Sequence, residues 1–121
     1  MSFESSKQQQ SSLSALFSTD VATHGTTTGA IVLDFHDGVA QTTATLTDNV
    51  SFTTTNRGSG KFLTLRVVPG SSTRTFTSFA DWVWLSSSEP ASIAASKTGI
   101  LSLTCYGTAE TDIVAVWAVE S

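Results

Sequence analysis

The chain reads as an all-β protein, a jelly-roll-like antiparallel β-sandwich of about eight strands with an extended N-terminal arm. Three observations lead there. Ser and Thr supply 39 of the 121 residues, and β-branched Thr suits a pleated, half-buried surface. Only 13% of the residues are charged, about half the roughly 25% of a typical soluble domain, so hydroxyls do most of the solvating. From Gly29 onward, short apolar runs alternate with turn residues at the roughly 8–12-residue spacing of sandwiches and barrels. The length suits one domain.

Residues 1–28 differ in composition from the rest. They hold Gln8-Gln9-Gln10, several Ser residues and Thr26-Thr27-Thr28, with a single apolar cluster at Leu13, Leu16 and Phe17. That i, i+3, i+4 spacing predicts a turn or two of amphipathic helix, too short to persist alone in water. The segment cannot bury enough surface to fold by itself. It is expected to be either a disordered tail or an arm that orders on a partner through Phe3, Leu13, Leu16 and Phe17, and a chain beginning at Gly29 should keep its β content.

The domain proper is expected over residues 29–121. Ala30–His36 is a strand ending at Asp37-Gly38, a strong hairpin-turn pair. Gln41–Leu46 and Val50–Thr55 flank the turn Thr47-Asp48-Asn49, and Arg57–Gly60 is a flexible loop. Lys61–Val68 alternates cleanly, with Leu63, Leu65 and Val67 on one face and Phe62, Thr64 and Arg66 on the other. Pro69–Ser72 ends it. Thr73–Phe76 and Trp82–Leu85 are short strands, followed by an irregular stretch between Ser86–Pro90 and Lys97–Gly99. Ile100–Tyr106 and Asp112–Val119 close the domain. No internal repeat stands out.

The last strand is apolar on both faces. Ile113, Ala115, Trp117 and Val119 form one row, and Val114, Val116 and Ala118 the other. An antiparallel strand with one wet face should alternate apolar with polar residues. A subunit interface is therefore expected here, assigned to Ile113, Ala115, Trp117 and Val119, with the opposite row as the other choice.

Composition also sets limits on function. A net charge of −4 and a pI near 4.8 oppose nucleic-acid binding, which needs a basic stripe. The longest apolar run, Ile113–Val119, is far short of a membrane span. The first ten residues lack the apolar core of a signal peptide, and a single cysteine permits no internal disulfide, consistent with synthesis in a reducing cytoplasm.

Side chains suited to chemistry are few. His36 lies beside Asp34 and Asp37, but ligands crowded at one turn, without a remote partner, make a poor metal site. Turn capping by Asp37 and a solvated His36 explain the same residues. Cys105 alternates with Leu101 and Leu103 as a small core residue. Arg57, Lys61, Arg66 and Arg74 fit ordinary solvated positions, and Trp82 and Trp84 fit core burial better than sugar stacking. No catalytic, cofactor-binding or metal residue is assigned, and the chain is not expected to be an enzyme.

The order of features is also familiar. Gly29-Ala-Ile-Val-Leu-Asp-Phe opens the domain, then Ala44-Thr-Leu-Thr-Asp-Asn-Val-Ser-Phe-Thr, Phe62-Leu-Thr-Leu-Arg-Val-Val and Ser72-Thr-Arg-Thr-Phe-Thr. A Trp at Trp82 or Trp84, Pro90, Ile100-Leu-Ser-Leu-Thr-Cys-Tyr-Gly-Thr and Trp117 complete it. This resembles a β-sandwich module of tailed-bacteriophage virion proteins, found in tail fibres and in capsid decoration (cement) proteins. The family's aromatic Asp-Gly-x-x-Trp-Tyr turn before the last strand is replaced here by Gly107–Asp112.

The resemblance implies a structural virion protein. One domain with an arm fits a homotrimeric capsid decoration protein, made in the bacterial cytoplasm and placed on the capsid surface. Its expected partners are the major capsid protein and copies of itself, with no cofactor, nucleic acid or membrane. The alternative is a tail or tail-fibre module that binds a host receptor or glycan.

Overall fold

The structure, a computed structural model, describes residues 20–85 and 88–121. Period-2 patterning builds its strands: in Phe62–Val67 the side chains of Leu63, Leu65 and Val67 are buried, while Phe62 and Arg66 face out. The described residues form ten strands: β1 (Ala22–His24), β2 (Gly29–Asp34), β3 (Ala40–Thr43), β4 (Val50–Thr55), β5 (Phe62–Val67), β6 (Arg74–Phe79), β7 (Val83–Trp84), β8 (Ser92–Ile93), β9 (Gly99–Cys105) and β10 (Ile113–Val119). One 3₁₀ turn, Glu110–Asp112, joins β9 to β10.

The strands make two sheets, one of six strands in the order β1-β3-β5-β9-β10-β7 and one of four in the order β2-β4-β6-β8. The all-β, two-sheet expectation is met. The antiparallel expectation is not: β1–β3, β3–β5, β2–β4, β4–β6 and β10–β7 pair in parallel, and only β5–β9, β9–β10 and β6–β8 are antiparallel. The cause is the path of the chain. From β1 to β6 it alternates between the sheets, so each strand reaches its neighbour after a full circuit and arrives in the same direction. Parallel neighbours need such a crossover, and here a strand of the opposite sheet supplies it. Three turns of a β-roll result, where a jelly roll would have antiparallel neighbours.

Stacked corners hold the turns in register. The Ala44 N–H donates to the His24 carbonyl at 3.0 Å, Thr47 to Thr27 at 2.9 Å, Leu46 to Val68 at 2.9 Å and Gly29 to Asn49 at 3.0 Å. On the other side Phe35 donates to Thr55 and Thr64 to Val39. These bonds also correct the domain boundary. Residues 22–28, assigned above to the arm, include an edge strand and a corner of the roll.

The space between the sheets is filled by Ile31, Leu33, Val50, Phe52, Leu63, Leu65, Leu101, Leu103 and Ile113, all 1% exposed or less. Cys105 lies with them as a fully buried core residue. At one side Phe52, Phe76, Phe79, Trp82, Trp84 and Trp117 form a continuous set of ring contacts with centroids 5.0–5.9 Å apart. Offset and edge-on aromatic pairs of this kind add to simple burial.

Two polar side chains repair irregular backbone. The β4–β6 register slips after Val50, which stays opposite Phe76 while Ser51 faces Ser78. Thr77 is the extra residue of this bulge, and its hydroxyl donates to the Val50 carbonyl at 3.2 Å. Gln41, 2% exposed, donates from Nε2 to the carbonyls of Asp34 and Gly38 and pairs through Oε1 with His24 Nε2 at 2.7 Å. It closes the β2–β3 turn from inside, so a buried amide leaves no polar atom unpaired.

Candidate functional site

Strand register fixes what each sheet shows to solvent. In the four-stranded sheet Ile31, Leu33, Phe52 and Phe76 point inward, leaving Ser51, Thr53, Thr75 and Thr77 among the outward residues. That outer face is hydroxyl-rich. The six-stranded sheet differs. Phe62, Thr104, Val114 and Val83 form one outward row across β5, β9, β10 and β7. Ala40, Thr64, Ser102 and Val116 form the next, and Thr42, Arg66, Ile100 and Ala118 the third. Phe62 is 52% exposed, Val83 49% and Val116 41%. Arg66 is the only charged residue in these three rows, and its Nε donates to Thr42 Oγ1 at 3.0 Å.

This geometry revises the expected subunit contact. Ile113 and Ala115 are fully buried against the protein's own second sheet, and Trp117 packs edge-on against Phe76 at 5.4 Å. Val119 alone of that row is largely exposed. β10 is apolar on both faces because one face lines the core and the other, Val114, Val116 and Ala118, looks outward. Any contact made by the face of this strand runs through the second row. Phe3, Leu13, Leu16 and Phe17 lie outside the described residues.

At the β1 side the same outer face is hollowed. Val21, Thr23, Ala40, Thr42, Arg66 and Ile100 line an open groove of about 380 Å³ that crosses β1, β3, β5 and β9. The apolar positions at its two ends, Val21 and Ile100, stand 79 residues apart in sequence (100 − 21). Only the parallel stacking of β1 and β3 brings them to one surface.

The groups weighed for chemistry are engaged locally. Asp34 accepts hydrogen bonds from Asn56 Nδ2 and from the His36 N–H, both at 2.8 Å. Those two bonds, the Asn56 bond foremost, hold its carboxyl below the usual 3.8, helped by the nearby His36 and Lys61. Lys61 donates from Nζ to the Asn56 carbonyl at 2.9 Å and lies 3.0 Å from His36 Nε2. An ammonium occupies the imidazole edge that a metal would need. Among the described residues no group of three or more His, Cys, Asp or Glu could hold a metal ion.

The four mid-chain cations do not gather. Arg66 and Lys61 are used as above, Arg74 donates to the Pro69 carbonyl at 3.0 Å, and Arg57 meets Glu110 at 2.9 Å. Glu110 is a residue that the sequence did not single out. Its Oε1 accepts from the Thr54 N–H and from Arg57, while Oε2 accepts from Trp82 Nε1 at 2.6 Å. A carboxylate in a loop facing a distant Arg and Trp carries no local sequence signal. Trp82 is 6% exposed and Trp84 packs edge-on against Phe79 at 5.0 Å. Ser86 and Ser87, part of the loop considered for glycan recognition, lie outside the described residues.

The outward face of β5, β9 and β10 is thus the strongest candidate: its one charge is Arg66, and Phe62, Ile100, Val114, Val116 and Ala118 stand there among the hydroxyls of Thr64, Ser102 and Thr104. No family model matches the chain, and neither a curated protein nor a solved structure matches it.

Proposed function

We propose that this protein is a structural virion component of a tailed bacteriophage, a capsid decoration protein that binds the assembled head through the outer face of its six-stranded sheet. The observation that carries the proposal is the row Val114, Val116 and Ala118 with its neighbours Phe62, Val83 and Ile100, which gathers apolar side chains on the outer face of one sheet. The order of motifs from Gly29 to Trp117, which resembles phage virion modules, supplies the biological setting.

Area explains why an assembly would use such a face. The three long strands β5, β9 and β10, at ~4.8 Å spacing and ~3.3 Å rise over six residues, cover about 300 Å². A standard interface takes about 800 Å² per partner. One copy on one subunit is therefore weakly held. Contact with several subunits of a lattice, or with sister copies in a cyclic trimer, supplies the remaining area. Binding the assembled lattice in preference to separate subunits then stabilises the shell by mass action.

The tail-module alternative draws no support from the tryptophans, since the Trp82 ring that would stack on a sugar is buried. Gel densitometry of purified particles tests the proposal. Hundreds of copies per head, lost on Val116→Asp with unchanged far-UV circular dichroism, are the expected result. A few tens of copies or fewer, or full occupancy by the folded variant, would overturn it.

A further inference from the structure

The groove across β1, β3, β5 and β9 has a natural occupant in the chain itself. We propose that it seats Leu13, Leu16 and Phe17 of the same molecule. This inference does not rest on the capsid proposal, although the two surfaces meet at Ile100, which borders the groove and the β9–β10 side of the face.

Four observations support it. The first is volume. At about 380 Å³ the groove is more than twice the ~150 Å³ cavity that takes up a benzene molecule, so two or three apolar side chains fit. The second is position. Val21 forms the lip of the groove, and the 19 residues that precede the described chain lead directly to it.

The third is reach. Phe17 and Val21 are four residues apart, a tether of at most ~14 Å. The groove crosses three strand spacings, also ~14 Å. Phe17 can lie over β3 or β5, with Leu13 and Leu16 on the adjoining turn, because positions 13, 16 and 17 share one side of a helical turn. So short a helix is marginal alone. An apolar seat is the usual way to hold one.

The fourth is charge. Residues 8–19 contain no ionisable side chain, and Arg66 at the groove is already bonded to Thr42. The segment therefore brings no charge of its own into the groove, and the Arg66 guanidinium keeps its bond to the Thr42 hydroxyl. The three side chains that seemed to need a foreign partner find an apolar surface on their own sheet.

Paramagnetic relaxation tests this on the full chain. A nitroxide on Ser14→Cys leaves all three anchors in place, and Cys105 is fully buried and does not compete for the label. The expected result is loss of amide intensity at Ala40, Thr42, Thr64 and Ile100. Adding Leu16→Asp and Phe17→Asp should restore those signals while far-UV circular dichroism stays unchanged. Broadening limited to residues next to Asp20 would overturn the proposal. So would broadening that appears only between labelled and unlabelled chains in a mixed sample, which would make the occupant a second copy.

Discussion

Glu110 ties three separate stretches of chain to one carboxylate. It takes a backbone N–H from β4, a guanidinium from the loop after β4 and an indole N–H from Trp82. Hydrogen bonds to a charged acceptor contribute about 1.5–3 kcal/mol, and removing the acceptor leaves its donors unpaired. Glu110→Ala should lower unfolding free energy by about 2–3 kcal/mol, read from the urea midpoint, with Glu110→Gln intermediate. Asp34 makes a prediction in pH. Its folded carboxyl titrates below 3.8, held there by Asn56 and His36. Its contribution is therefore present above the unfolded value and is lost as pH falls through the folded one. The stability difference between wild type and Asp34→Asn should be constant above about pH 5 and shrink toward zero in stronger acid, as urea midpoints over a pH series will show. The core role of Cys105 was legible in the sequence, because alternation is local. The turn cap was expected at Asp37, but the carboxylate that accepts the His36 N–H belongs to Asp34. Glu110 was not legible, since its partners lie 28, 53 and 56 residues away.

Among the elements, β1 is the one that sequence patterning hid. Ala-Thr-His within a Ser/Thr-rich stretch has no apolar alternation, and the strand exists because β3 offers its edge and the corners lock above it. Removing it has a cost. A chain beginning at Gly29 loses the β1–β3 ladder and the bonds from Ala44 to His24 and from Thr47 to Thr27. At about 1 kcal/mol net per hydrogen bond, offset by the entropy of the released residues, the expected loss is about 1–3 kcal/mol. A chain beginning at Asp20 keeps this contribution, and denaturant unfolding of the two will separate them. The remaining strands were largely readable, since Leu63-x-Leu65-x-Val67 and Leu101-x-Leu103-x-Cys105 announce an inward face. Their pairing direction was not. Alternation reports which side of a strand is dry and carries no information about which way its neighbour runs.

Taken whole, the molecule depends little on charge. Among the described residues Arg57 pairs with Glu110, both side chains about a quarter exposed, and Lys97 Nζ donates to the Ser121 oxygen at 2.6 Å. Partly exposed pairs contribute about 0–1 kcal/mol and are screened by salt. Raising sodium chloride from about 0.05 M to 0.5 M should therefore change unfolding free energy by less than about 1 kcal/mol. A larger loss would show that charges outside the described residues carry stability. The same economy of charge leaves the outer face of the six-stranded sheet open to apolar contact.

The two ends of the roll are not equivalent. β7 and β8 border one side of their sheets, while β1 and β2 end the other with backbone groups arranged for a parallel neighbour. A tight turn cannot deliver such a neighbour, since it must arrive after a whole circuit of chain. Within the roll that circuit is 19 residues from Ala22 to Gln41, 21 from Gly29 to Val50 and 24 from Ala40 to Thr64. The architecture therefore has a unit of length. It can grow or shrink at this end only by a complete turn of roughly twenty residues, which adds one strand to each sheet and leaves the β9–β10 hairpin untouched. Stability in such arrays is approximately a sum over turns and their nearest-neighbour contacts. Insertion of one further turn between β2 and β3 is then an act of extension, with the aromatic cluster and the outer face of β9 and β10 carried along unchanged.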